Sequence, residues 1–177
     1  MDKLTHFSKY LEGELTWDKT KHDRFITARD QAYISGDRPG DLGQVKVPEI
    51  LRFPKDDGLL FNHVCGRTLL DCDSNVLSVR RNPQSVIFPM KGIERYVELA
   101  REQGVDLTKG YLFRPTTCNN GIQDSPFSSS AADARPKLYL KQMKADDGET
   151  LYGFLSGCAI TLALTGANLS EILEHVG

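Results

Sequence analysis

Several arginines in this chain stand where a phosphate could be held. Arg38 opens a short predicted helix in Gly36-Asp37-Arg38-Pro39-Gly40-Asp41-Leu42, and the carboxylate of Asp41 follows three residues later. An arginine so placed either grips a phosphate, through a planar fork of N–H donors that stays charged, or is a buried structural residue paired with Asp41. Arg67, in the turn Gly66-Arg67-Thr68, is either a second phosphate contact or an ordinary exposed turn residue. Arg80-Arg81 close a predicted strand, a position suited to a nucleic-acid backbone or simply to solvent.

Other constellations carry less. Tyr152 heads a long apolar segment and reads as a packed aromatic with its hydroxyl satisfied rather than as a nucleophile. Gly153-Phe154-Leu155-Ser156-Gly157 places its serine one position late for a hydrolase elbow, with no strand before it. His63, Cys65 and Cys72 lack standard zinc spacing, so no metal is expected. His175, in a predicted last helical turn, answers the helix dipole without further role. No cofactor-binding pattern is present.

The elements that must position these residues follow from periodicity. The spacing of Phe25, Ala28 and Ala32 predicts a helix over about 21–34, closed by Gly36. A short helix over about 38–44 accommodates Pro39 in its first turn. Gly58–Val64 and Asn75–Arg80 alternate as strands, separated by an Asp-rich turn, and 85–88 is a third extended piece. Ile93, Tyr96, Val97 and Ala100 define an amphipathic helix ended by Gly104. Residues 110–130 form a long loop, and a helix over about 130–144 has Pro136 as a kink or boundary. Leu151–Leu164 is apolar nearly all round and predicts a core helix; Gly166 closes it, and Leu169–Val176 forms the last helix. Residues 1–20 show no clear period and read as a loose arm. Helices, a small antiparallel sheet, then helices make an α+β fold, mainly helical.

Composition bounds the function. The 177 residues fit one domain with or without an arm. No run approaches the roughly 18 consecutive apolar residues of a membrane span, and the N-terminus has no apolar signal region. The cysteines, Cys65, Cys72, Cys118 and Cys158, read as reduced thiols of an intracellular protein. A net charge of −2 argues mildly against nucleic acid, although basic residues gather at Arg80, Arg81, Lys91, Arg95 and Arg101.

The order of the motifs resembles the catalytic domain of tyrosine recombinases, the phage-integrase-like family, and especially the forms carried by eukaryotic mobile elements. Arg38-Pro39-Gly40-Asp41-Leu42 matches the family's Arg-x-x-Glu/Asp-Leu, and Arg67 occupies the place of a turn lysine. The family's His-x-x-Arg falls on Tyr152-Gly153-Phe154-Leu155, so both catalytic side chains are replaced. The family's His or Trp position and its nucleophilic tyrosine would follow Gly177. The resemblance covers about 20–177, taken as a domain over 21–177 that is incomplete at its C-terminus. It implies a metal-free enzyme class in which a tyrosine attacks a phosphodiester while cations stabilise the charge on phosphorus. It implies DNA as partner, at Arg38, Arg67, Arg80 and Arg81, a homo-oligomer on DNA, no cofactor, and a nuclear location if the source is eukaryotic. The expected protein is a pseudoenzyme of DNA recombination and integration that binds DNA without cutting it. The alternatives are a fragment or faulty gene model of an active recombinase, and a non-enzymatic protein-interaction module.

Overall fold

The computed structural model describes residues 3–16, 18–34, 39–63, 75–81 and 89–151, followed by 153, 156, 157, 160, 163, 166 and 168. At its centre lies helix α2, Lys21–Tyr33. Thr20 caps it: its hydroxyl oxygen accepts the Asp23 N–H at 3.0 Å, supplying one of the partners that a helix start lacks. Helix α4, Pro89–Glu102, packs along α2. Their contact includes Gly92, where an added Cβ would stand 2.9 Å from the Ala32 amide nitrogen. A glycine in a helix costs about 1 kcal/mol relative to alanine; here it is what lets the two backbones approach. Phe25, Ala28 and Ala32 of α2 share one core with Ile93, Tyr96 and Ala100 of α4. The short helix α3, Pro39–Leu42, adds the buried Leu42 to that core.

Three antiparallel strands, β1 (Ile50–Arg52), β2 (Gly58–His63) and β3 (Asn75–Arg80), lie in the order β1-β2-β3. Ile50 pairs with Phe61 and Phe61 with Leu77, so this row points to the core, together with Leu59 and Val79. The opposite face carries Leu51 and Val76, both exposed. Strand β1 was not foreseen from the sequence: three residues after a 3-10 turn at Val47–Glu49 are too few for alternation to register. The expected extended piece over 85–88 and the expected last helix over Leu169–Val176 lie outside the described residues.

Helix α5, Ser129–Gln142, starts at the Ser128 cap, whose Oγ accepts the Ala131 N–H at 3.2 Å. It runs through the buried Pro136, which is therefore not a boundary.

Two expectations need correction. Residues taken as a loose arm contain helix α1, Lys3–Glu14. Its Phe7 and Leu11 are buried in a second apolar cluster with Ile34 and the α5 residues Tyr139 and Leu140. Two buried side chains four residues apart, Phe7 and Leu11, make a stripe too narrow to stand out among charged neighbours. The segment from Leu151 was expected to be buried nearly all round. Its described residues from Leu151 to Ala163 are helical, but Gly153, Ser156, Gly157, Ile160 and Ala163 are exposed. Gly153, Ser156, Gly157 and Ala163 offer little apolar area to bury, and Ile160 stands exposed among them.

Candidate nucleic-acid interface

Arg80 and Arg81 are the two proposed contact residues that fall among the described residues. Both sit at the end of β3 beside the β1–β2 turn, where Lys55 and Asp56 adopt positive φ values of 62° and 58°. That bend turns Asp56 and Asp57 toward the arginines. Arg80 donates to Asp57 at 2.8 Å, and its guanidinium lies over the Phe53 ring, 4.4 Å from the centroid. Arg81 donates from Nε to the Asp56 carbonyl at 2.7 Å and ion-pairs with the Asp56 carboxylate at 3.0 Å. It also bonds Glu94 of α4. The Glu94 hydrogen bond, with the Asp56 charge behind it, raises the pKa of Arg81 above the usual arginine value. Arg52 reaches the same Asp56 at 3.1 Å. These cations are ordered and partly solvent-facing, but each is already matched by an acid. A phosphate arriving here exchanges one anion for another.

Arg38, Arg67, Tyr152 and Leu155 lie outside the described residues; the elements that lead to them do not. The register pairs His63 with Asn75 at one end of the β2–β3 hairpin and Gly58 with Arg80 at the other. The connection that carries Arg67 leaves from the His63 end. Five residue steps of about 3.3 Å separate the two ends, roughly 16 Å along the strands. Arg38 follows from α2 and precedes α3, with both flanking helices anchored in the main core. Ahead of Tyr152, Leu151 is buried, and its N–H donates to Asp133 of α5 at 2.9 Å. Thr150 Oγ1 accepts the Gly153 N–H at 3.2 Å, as an N-cap does.

What sequence reading missed is a buried polar spine through the centre. Asp30 of α2 is 3% exposed; one carboxylate oxygen accepts from Arg29 at 2.8 Å, the other from Arg135 at 2.6 Å and from the Tyr139 hydroxyl at 2.8 Å. Arg29 continues to the Arg114 carbonyl at 3.1 Å. The Arg114 amide donates to the Tyr96 hydroxyl at 3.2 Å, and that hydroxyl donates to the Leu112 carbonyl at 2.7 Å. Burial, only partly opposed by the Arg114 amide, pushes the Tyr96 pKa up to about 12. Burial likewise raises that of Tyr139. The spine ties α2, α4, α5 and the 105–128 loop together around the helix that leads to Arg38. Its sequence signal was the adjacent Arg29-Asp30 pair within a helix otherwise read as apolar on one side, and the four-residue spacing of Arg135 and Tyr139. Among the described residues, no group of three or more His, Cys, Asp or Glu could hold a metal, and no helix is long and apolar enough to cross a membrane.

Helices packed around a three-stranded antiparallel sheet in this order have the fold of tyrosine site-specific recombinase catalytic domains. Two solved structures are similar in particular. The XerA recombinase matches with a TM-score of 0.61 and 16% identity over 97% of this chain and 52% of its own. The XerH site-specific recombinase, solved bound to its difH substrate before cleavage, matches with a TM-score of 0.66 and 9% identity over 99% of this chain and 45% of its own. The present chain thus spans about half the length of these recombinases, and at such identities the likeness is one of fold. No protein-family model matches the sequence, and no curated protein matches it.

Proposed function

We propose that this chain is a DNA-binding domain of the tyrosine recombinase and integrase class that does not cleave strands. The observation that carries the reading is the coincidence of a recombinase fold over nearly the whole chain with the ordered motifs Arg38-x-x-Asp41-Leu42, Arg67 and Tyr152-x-x-Leu155. One of the matching structures is a recombinase held on its DNA substrate, which supports DNA as the partner class. Inactivity rests on chemistry. Strand cleavage builds negative charge on phosphorus, and removing a single preorganised donor from such a site typically costs about 10²–10³ in rate. Leu155 offers neither charge nor donor, and Tyr152 replaces an imidazole by a phenol. Arg67 supplies charge in the lysine's place but is a poor proton donor, because a guanidinium does not give up its proton in a protein. Arg38 remains as the phosphate clamp.

The reading is tested by titrating labelled duplex and branched DNA at a series of salt concentrations. Affinity is expected to fall linearly on logarithmic axes, with a slope of about −0.9 per phosphate contact. Arg38→Ala is expected to weaken binding more than Arg101→Ala. Equal effects of the two substitutions remove Arg38 from the interface, and no binding at low salt removes the reading.

A further inference from the structure

Lys91 and Arg95 occupy successive turns of α4, with Glu94, the partner of Arg81, between them. Glu94 joins this helix to Arg81, which stands beside Arg80 at the end of β3. Unlike those arginines, which are paired by acids of their own turn and of α4, these two are met by an acid from a different element. Glu12 near the end of α1 receives Arg95 at 2.7 Å, stands 3.6 Å from Lys91, and accepts the Gln31 side-chain amide at 3.0 Å. Lys91 is 49% exposed and Arg95 28%, so solvent and ions reach both.

The manner in which α1 is held gives this contact its meaning. Its buried apolar anchors are Phe7 and Leu11, in a cluster separate from the main core. The partly buried Tyr10 packs beside them against Tyr139, and the charged part of the helix's fastening lies close to the surface. Lys3 pairs with Asp147 and Glu149, Tyr10 donates to Gln142, and Glu12 closes the other end. Ion pairs in such positions are weakened by salt and add little to stability. A polyanion presents many phosphates where Glu12 presents one carboxylate.

We propose that Lys91 and Arg95 form a phosphate-contact surface that Glu12 of α1 masks, so that α1 sets how strongly the domain holds nucleic acid. The proposal rests on the DNA-binding reading above. Its test uses the full chain and a labelled duplex at several salt concentrations, with circular dichroism and a melting curve to report folding. Glu12→Gln is expected to raise affinity about threefold to tenfold at low salt and to steepen the salt slope by about one, the share of the released Arg95. Arg95→Gln alone is expected to change affinity less than twofold, yet to remove most of the gain when combined with Glu12→Gln. Phe7→Ala, which loosens α1 without touching a charge, is expected to raise affinity in the same direction, and again less so with Arg95→Gln. Unchanged affinity and slope in both Glu12→Gln and Phe7→Ala overturn the mask and leave the DNA-binding reading standing. A gain that persists without Arg95 also overturns it. Absence of binding by the wild-type chain and every variant overturns both.

Discussion

At the scale of single residues, the decisive feature is that charge inside this protein is spent on its own structure. Asp30 answers Arg29 and Arg135 in a site nearly closed to water. Removing one member of a buried ion network leaves the others uncompensated, at a cost of about 3–5 kcal/mol. Asp30→Ala is therefore expected to lower unfolding stability by that amount in a urea titration; a loss below about 1 kcal/mol would mean that the network is not buried as described. Glu12 carries a pH signature. Burial raises its pKa, but hydrogen bonds from Gln31 and Arg95 outweigh this and hold the carboxyl below its ordinary 4.5. A depressed folded value stabilises the folded state above the unfolded value and ceases to do so as pH falls through the folded one. Amide protection in α1 is thus expected to hold from neutrality to about pH 5 and to decline below 4.5. Glu149, drawn down to about 2 by the Lys3 hydrogen bond, lets go later. Protection that is flat down to pH 3 would contradict the Glu12 contribution. Little of this was visible in sequence: the Arg29-Asp30 pair and the Arg135–Tyr139 spacing were its signals, but these charges and Glu12 look like ordinary surface residues until the fold sets other elements against them.

At the scale of elements, strong periodicity was legible and short or crowded elements were not. Helices α2, α4 and α5 and strands β2 and β3 follow from apolar spacing, Thr20 and Ser128 caps, and glycine stops. Strand β1 is too short to show a period, and α1 hides two core residues among polar ones. Leu151 onward misled for the opposite reason: Gly153, Gly157 and Ala163 count as apolar by type yet bring almost no area to bury. Of the candidate site, the place of Arg80 and Arg81 at the end of a strand was legible, whereas the acids that meet them, Asp56, Asp57 and Glu94, emerged only with the β1–β2 turn and α4 in place. The α2–α4 contact gives the most specific expectation at this scale. Gly92→Ala forces a methyl group against the Ala32 backbone, and overpacking of this kind costs about 1–3 kcal/mol despite alanine's better helix propensity. Thermal unfolding measures it, and a stabilised Gly92→Ala variant would mean that the helices are further apart.

For the molecule as a whole, a net charge of −2 is low for the DNA-binding role proposed above. Arg52, Arg80, Arg81, Lys91 and Arg95 are each paired with an internal acid, so in the proposed role phosphates must compete for them. Binding is accordingly expected to be more salt-sensitive than it is tight. The recombinase fold and the replaced residues at Tyr152 and Leu155 together define the central claim, that the domain holds DNA without cutting it. One binding mixture with nicked, end-labelled duplex, split between a native gel and a denaturing SDS gel, tests that claim directly. A shifted band in the native lane that dissolves completely into free, full-length DNA under SDS is the predicted result; an SDS-resistant protein–DNA adduct, or no shift at low salt, would contradict it.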